Sequence, residues 1–417
     1  MWLGWVDPPS PYWVLFIYID PKLITMSTLH IPELSENVYY VGIRDRDRRM
    51  FDALVPLPQG TTYNSYLITD TKTALIDTAN PGFEHELEQR ITQITPLDKI
   101  DYIVMNHAEP DHAAAIPYLL ERNNKAKLVV SKRGADAAKT YFNVPPERIQ
   151  IVSDGDSINL GTKTLRFIEA PMLHWPETMF TYLEEDRILF PCDFFGLHTA
   201  YGFYDDGVPE AIEYAKRYFG EIMMPYRGMG KRAMEKIKDL EIKLIAPSHG
   251  PIHRNPDRIL EAYRKWTDGE TRSKVILVYV SMWRSTEKMI LQLAETLEEA
   301  GVEAPVYNLA AADVGDIAKD LVDSGGIVLG TPTVLGRMHP LAVYAAHLVK
   351  VLKPPAKYGA VLTSYGWSKG ALTHASEVLG PTGLEVVGAM EVNGPPSSED
   401  YEAVRKIGKA LVEKILG

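Results

Sequence analysis

At 417 residues the chain exceeds what one hydrophobic core usually organises, so two domains are expected, each able to bury a sizeable core. A net charge of −11, with no lysine- or arginine-rich stripe, argues against a nucleic-acid partner and fits an acidic cytoplasmic protein. The single cysteine, Cys192, excludes an internal disulfide framework and any thiolate-rich zinc or iron–sulfur site within one chain, so a metal would have to be held by nitrogen and oxygen.

The opening stretch, MWLGWVDPPSPYWVLFIYIDPKLITM, is unlike the rest of the chain, and residues 1–26 are read as an N-terminal extension with Met26 as an alternative start. Its apolar run from Trp13 to Ile19 is too short to span a bilayer. It also lacks a basic leading region and a small-residue cleavage site, so neither a membrane anchor nor a signal peptide is expected.

From Thr61 to about Pro256, short β-branched runs alternate with turn signals: NSYLI, TALIDT, DYIVMNH, AKLVVS, TLRFIEAP, RILFPCD and IKLIAPSHG. Several end in polar loops carrying His, Asp or Glu, the pattern of a layered α/β domain whose strand ends present a site. In IVMNHAEPDH a strand leads into His107, Glu109, Asp111 and His112. Alternate positions on an extended loop point the same way, so His107, Glu109 and Asp111 can converge, with His112 beginning a helix beside them. So many ionisable groups in six positions repel one another unless a cation is held between them. His174 in PMLHWPETMF, Asp193 in PCDFFG and His249 in APSHGPIH, each at a strand end, complete a set of seven, which suits two metal ions sharing one carboxylate. His30, His85, His198, His253, His339, His347 and His374 are read as ordinary core or surface histidines.

A helical pattern at DRILEAYRKW gives way to the polar TDGETRSK, and the domain boundary is placed there, with residues 27–270 forming the first domain and 271–417 the second. The rhythm then changes to strand–loop–helix units: KVILVYV, APVYNL, GGIVLG, YGAVLTSYG and GLEVVGAMEV, closed by an amphipathic helix through SEDYEAVRKIGKALVEKIL. Five strands with intervening helices make a small doubly wound parallel sheet. Its first βα loop, SMWRST, offers Ser281, Met282, Trp283, Arg284, Ser285 and Thr286, with hydroxyls and a helix N-terminus suited to a phosphate. Two further segments, with Thr331, Pro332, Thr333 and Val334 in one and Ser364, Tyr365, Gly366 and Trp367 in the other, come after the third and fourth strands at the edge where such sheets bind ligands. No dinucleotide fingerprint and no G-x-x-x-x-G-K-[ST] motif is present, which points to a mononucleotide such as FMN.

The seven-residue set resembles the metallo-β-lactamase fold, whose hydrolases usually carry H-x-H-x-D-H. Here Glu109 replaces the second histidine, and the extra charge and hard oxygen favour iron over zinc. With the second half, the chain resembles the flavodiiron proteins. That resemblance implies a metallo-β-lactamase-like αββα sandwich followed by a flavodoxin-like sheet, with FMN and two Fe ions as cofactors. One iron would be held by His107, Glu109 and His174 and the other by Asp111, His112 and His249, with Asp193 bridging them. It implies reduction of O2 to water or of NO to N2O, and a homodimer or dimer of dimers in which one subunit's FMN faces the other's irons. It also implies an electron donor such as rubredoxin or a reduced deazaflavin coenzyme. Two departures stand out. MFDALVP replaces the usual aromatic–His–Gly–aromatic stretch, with Asp52 at the histidine's place, and PTVLGRM lacks the usual asparagines. The alternatives are a zinc hydrolase of metallo-β-lactamase type fused to a flavodoxin-like module, and a plain electron carrier whose first half is only a scaffold.

Overall fold

The computed structural model describes residues 30–417; the N-terminal extension lies outside the described residues. Two sheets face each other in the first half. A seven-stranded sheet runs Glu33–Ser35, Val38–Tyr40, Tyr66–Ile68, Thr73–Ile76, Ile100–Val104, Lys127–Ser131 and Ile149–Val152. Opposite it, a five-stranded sheet runs Ser157–Asn159, Thr164–Glu169, Met179–Leu183, Ile188–Phe190 and Leu244–Ile245. Alternation along the strands decides which side chains meet between them: Tyr66, Ile68, Ala74 and Ile76 from one sheet interlock with Leu165, Phe167, Met179 and Phe190 from the other. The outer face of the larger sheet is covered by the helices Glu84–Thr92, Ile116–Arg122 and Lys132–Phe142, and that of the smaller by Ala211–Tyr218, Arg227–Ile237 and Pro256–Asp268. The result is an αββα sandwich.

Gly269 ends the last of these helices in the left-handed conformation (φ 72°), where it has no Cβ to clash. The next strand begins at Arg272. In the second half five parallel strands form a further sheet in the order Val306–Asn308, Arg272–Tyr279, Ser324–Val334, Tyr358–Tyr365, Glu385–Asn393. Helices cover both faces, so these strands bury alternate residues on each side, Val275, Leu277 and Tyr279 on one and Ile276, Val278 and Val280 on the other. This strand order reverses direction between the first and third strands, and the crevice above that switch point is where a doubly wound sheet receives its ligand.

The face carrying Ile276 and Val278 belongs to the same apolar cluster as Phe194, Phe219 and Tyr263 of the sandwich, so one core runs through both halves. At the seam, the helix Ala211–Tyr218 continues into a π-helical turn, Phe219–Met223. Gly220 in that turn lies so close to the Ala318 carbonyl of the helix Val314–Leu321 that a Cβ would overlap it. Charge joins the halves there too: the buried Lys216 Nζ donates to Asp323 at 2.6 Å, and the partly buried Arg217, held by Glu221 of its own half at 3.1 Å, reaches Asp313 at 2.9 Å.

Candidate metal centre

The loop after Ile100–Val104 is pinned from behind by a buried carboxylate. Asp77 accepts from the Asn106 backbone N–H at 2.8 Å and from its side-chain Nδ2 at 3.1 Å, which sets the direction in which the next residues leave the sheet. Glu109, extended at φ −62° and ψ 140°, precedes a one-turn helix, Pro110–Ala113, whose first residue is proline, preorganised for that position. The extended stretch and the turn bring His107, Glu109, Asp111 and His112 to one side, toward His174, Asp193 and His249 from the smaller sheet.

The seven side chains form two groups. In the first, Glu109 Oε2 lies 3.2 Å from His107 Nε2 and 3.0 Å from His174 Nε2, and Asp193 Oδ2 is 3.5 Å from His107 Nε2 and 3.7 Å from His174 Nε2. In the second, Asp111 Oδ2 lies 3.3 Å from His112 Nε2 and 3.1 Å from His249 Nε2, and Asp193 Oδ1 is 3.0 Å from His112 Nε2 and 3.5 Å from His249 Nε2. Asp193 thus turns one oxygen to each group. Donor atoms on adjacent corners of an octahedron with bonds of about 2.1 Å sit roughly 3 Å apart, so the spacing suits one ion in each group.

The residues also fit metal by what they lack. Both carboxylate oxygens of Asp111 and of Asp193, and both ring nitrogens of His112, are buried without a hydrogen-bond partner. Orphaned buried polar atoms cost stability, and four of these six atoms, Asp111 Oδ2, His112 Nε2 and both oxygens of Asp193, face the donor groups, where cations would satisfy them. In the protein alone, protons take up part of that charge. Burial opposes it, yet hydrogen bonds to Glu109 and Glu177 hold the His107 imidazolium well above the usual histidine range. Against the same burial, Asp111 and Asp193 push His112 up to about 9. Asp193 and Glu109 are held low by the histidines around them although burial acts the other way.

Several supporting residues carry no signal in the sequence. Glu177, three positions beyond His174, accepts from His107 Nδ1 at 2.7 Å, and the Thr62 carbonyl takes the His249 Nδ1 proton at 2.6 Å. His198, ordinary by its sequence context, stands beside the centre: its ring lies 4.7 Å from that of His249, Nδ1 meets Thr61 Oγ1 at 2.8 Å, and Nε2 is buried without a partner. Other histidines outside the set of seven are plainly structural where they are bonded. His253 donates to the Phe195 carbonyl, His85 meets the Tyr118 hydroxyl, and His339 caps the helix Pro340–Leu352. Asp52 adopts a positive φ of 48° near the cluster. Partial burial, then the charges of Glu109 and Asp111, raise its carboxyl above the usual range.

In the second half the three expected segments do meet at the edge of the sheet, with differences in detail. Thr331, Pro332, Thr333 and Val334 are the last residues of a long strand, and Ser364 and Tyr365 end the next, where the sequence pattern alone places them in loops beyond the strands. Thr286 Oγ1 and Ser364 Oγ are joined at 2.9 Å, and Thr331 Oγ1 accepts from the His339 N–H at 3.1 Å, so these hydroxyls brace the crevice. Arg284 pairs with Glu287 at 2.8 Å and is otherwise exposed. Ser281 Oγ is buried without a partner beside the N-terminus of the helix Ser285–Glu299, which fits a phosphate there. Around the crevice Trp283 is 87% exposed and Trp367 94%, and Gly366 beside Trp367 leaves open space, an arrangement able to flank a flat aromatic ring system.

Comparison with known proteins agrees with this geometry. A family model described as ODP family beta lactamase matches residues 61–250. A nitric oxide reductase of Moorella thermoacetica is 36% identical over 391 residues, covering 92% of this chain and 98% of the relative. Among solved structures, rubredoxin oxygen:oxidoreductase from the anaerobe Desulfovibrio gigas superposes with a TM-score of 0.90 at 29% identity, covering 93% of this chain and 99% of that one. The flavodiiron protein from Giardia intestinalis superposes with a TM-score of 0.89 at 30% identity, covering 93% and 97%.

Proposed function

The chain belongs to the flavodiiron protein family, and on that premise we propose that it is a reductase passing electrons from a redox partner through FMN to a non-haem diiron centre, where O2 is reduced to water or two NO to N2O and water. The observation that carries this reading is the pair of donor groups that share Asp193 through its two oxygens, with Glu109 supplying a carboxylate where zinc hydrolases carry histidine. His107, Glu109 and His174 would hold one iron, Asp111, His112 and His249 the other, and Asp193 would bridge them. Ser281 to Thr286, Thr331 to Val334 and Ser364 to Trp367 would hold FMN.

Bound FMN would supply an electron store that can be released one electron at a time, and the iron pair would supply the positions at which the gas is reduced. The chain's own contribution is to fix these positions. Asp193 would set the spacing between the two metals, the Thr62 carbonyl and Glu177 fix which nitrogen His249 and His107 turn inward, and Asp77 holds the loop that bears four of the proposed ligands. Trp283 and Trp367 would shield the flavin faces from water. The division at residues 270 and 271 is part of the same proposal, supported by the Gly269 helix end and the new sheet from Arg272.

We further propose a head-to-tail homodimer, because the iron loops and the flavin crevice belong to different halves of one chain. Rubredoxin is the proposed donor, supported by the Desulfovibrio structure, with a reduced deazaflavin coenzyme as the alternative. Among the described residues no helix is long and apolar enough to cross a membrane, which supports the proposed cytoplasmic location.

The test is anaerobic. The iron- and FMN-loaded protein is reduced and mixed with O2 or with NO, and flavin reoxidation is recorded. Complete reoxidation is expected, and the faster gas identifies the substrate. Metal analysis finding zinc, together with thioester or phosphodiester hydrolysis and no reoxidation, would favour the hydrolase instead.

A further inference from the structure

Glu177 shares a loop with His174 but takes no place in the ligand set. Its side chain is 3% exposed. One carboxylate oxygen, Oε1, accepts from His107 Nδ1 at 2.7 Å and from the Ala108 backbone N–H at 2.9 Å. Ser131, at the end of the strand Lys127–Ser131, holds the residue from the other side by donating its hydroxyl to the Glu177 carbonyl at 2.6 Å. With Nδ1–H committed to a carboxylate, His107 turns its Nε2 to the cluster, 3.2 Å from Glu109 and 3.5 Å from Asp193, as the nitrogen that would bind a metal once neutral.

Among the described residues the second group has no equivalent. His249 Nδ1 gives its proton to a neutral carbonyl, that of Thr62, and His112 Nδ1 is buried without a partner. The other buried carboxylate nearby, Asp77, spends its oxygens on Asn106 and on the Ser248 hydroxyl at 3.3 Å and bonds to no ligand imidazole. A carboxylate behind an imidazole makes the ring a stronger donor, because it takes up positive charge that the metal puts on the ring, and this favours the more highly charged metal ion.

Resting on the diiron reading, we propose that Glu177 is a positioning residue that makes the two metal positions unequal, so that in the half-reduced centre the ferric ion sits with His107, Glu109 and His174 and the ferrous ion with Asp111, His112 and His249. The asymmetry lies in what stands behind the ligands. Each group offers two imidazoles, one carboxylate of its own and one oxygen of Asp193, and only the first adds a buried carboxylate hydrogen-bonded to one of its histidines.

The test uses the full-length protein loaded with FMN and 57Fe, titrated anaerobically and followed by Mössbauer spectroscopy. Separate ferric and ferrous signals are expected at half reduction in the unaltered protein. In Glu177→Gln, which keeps the shape and removes the charge, the lower iron couple is expected to rise while the other stays. A shift of about tenfold to a hundredfold in ferric over ferrous preference corresponds to about 59 to 118 mV. Glu177→Asp, which keeps the charge, is expected to return the couple toward its original value. One averaged iron signal at half reduction, or unmoved couples in Glu177→Gln, would overturn the inference and leave the diiron reading standing. An unaltered protein with no iron couple at all would overturn both. An averaged signal in the unaltered protein overturns the inference even where the variant fails to hold iron.

Discussion

At the scale of single residues, Asp193 is the point on which the proposed centre depends, because among the described residues it alone faces both groups of donors. Asp193→Ala is expected to lose both metal ions and all gas reduction while keeping FMN, as read by metal analysis and flavin absorbance. His174→Ala, at the more open edge of the first group, is expected to lose gas reduction with FMN still bound. Unaffected turnover in either variant would point to the electron-carrier reading. Metal uptake also has a defined pH dependence. His107 and His112 carry raised pKa values in the protein alone and must be neutral to bind metal, so loading near neutral pH displaces their protons and affinity falls as the pH drops. Calorimetry in two buffers of different ionisation heat measures that release; loading with no proton release would contradict the assignment. The seven donors are legible in the sequence because four lie within six positions and the others end recognisable strands. Glu177 is not, because a glutamate three residues past a histidine is ordinary until the fold sets it behind His107.

At the scale of elements, the longer strands are readable from β-branched runs. The two- and three-residue strands between Glu33 and Pro56 are not, since alternation over so few positions carries no signal. The same limit explains why Thr331 to Val334 read as a loop: Pro and Thr after a glycine resemble a turn, yet pairing with the strand Tyr358–Tyr365 carries the sheet through Thr331 and Pro332, and a hairpin with Arg337–Met338 carries it through Thr333 and Val334. The seam helices carry two predictions. Gly220→Ala forces the π-helical turn away from Ala318, and overpacking of this kind costs about 1–3 kcal/mol, to be read as a lower midpoint in thermal or denaturant unfolding. Glu221 is nearly buried, and burial outweighs its Arg217 partner to push its carboxyl up to about 7, from 4.5 in the unfolded chain. The folded state therefore binds the proton more tightly. The contribution of Glu221 to stability is complete below about 4.5 and is lost as pH rises through about 7. Glu221→Gln is expected to flatten stability across that interval, measured by unfolding at a series of pH values; an unchanged slope would contradict it.

At the scale of the whole molecule, the continuous apolar core, the buried Lys216–Asp323 pair and the partly buried Arg217–Asp313 pair make the two halves one unit, with the metal loops on one half and the flavin crevice on the other. If a second subunit closes the distance between them, dilution to monomers should abolish gas reduction while iron and FMN remain bound, as followed by sedimentation beside turnover. A fully active monomer would overturn the dimer proposal. Local pattern by itself determined the α/β class, the change of rhythm between the two halves and the candidate set of seven metal donors, because strand periodicity and clustered donors are written within a few residues of one another. Only the tertiary structure decided that Asp193 would divide its oxygens between two groups, that Glu177 would stand behind His107 and Arg284 turn to Glu287, and that one core would run through both halves. Those outcomes depend on contacts between segments far apart in the chain, and no local pattern specifies the distance at which such segments meet.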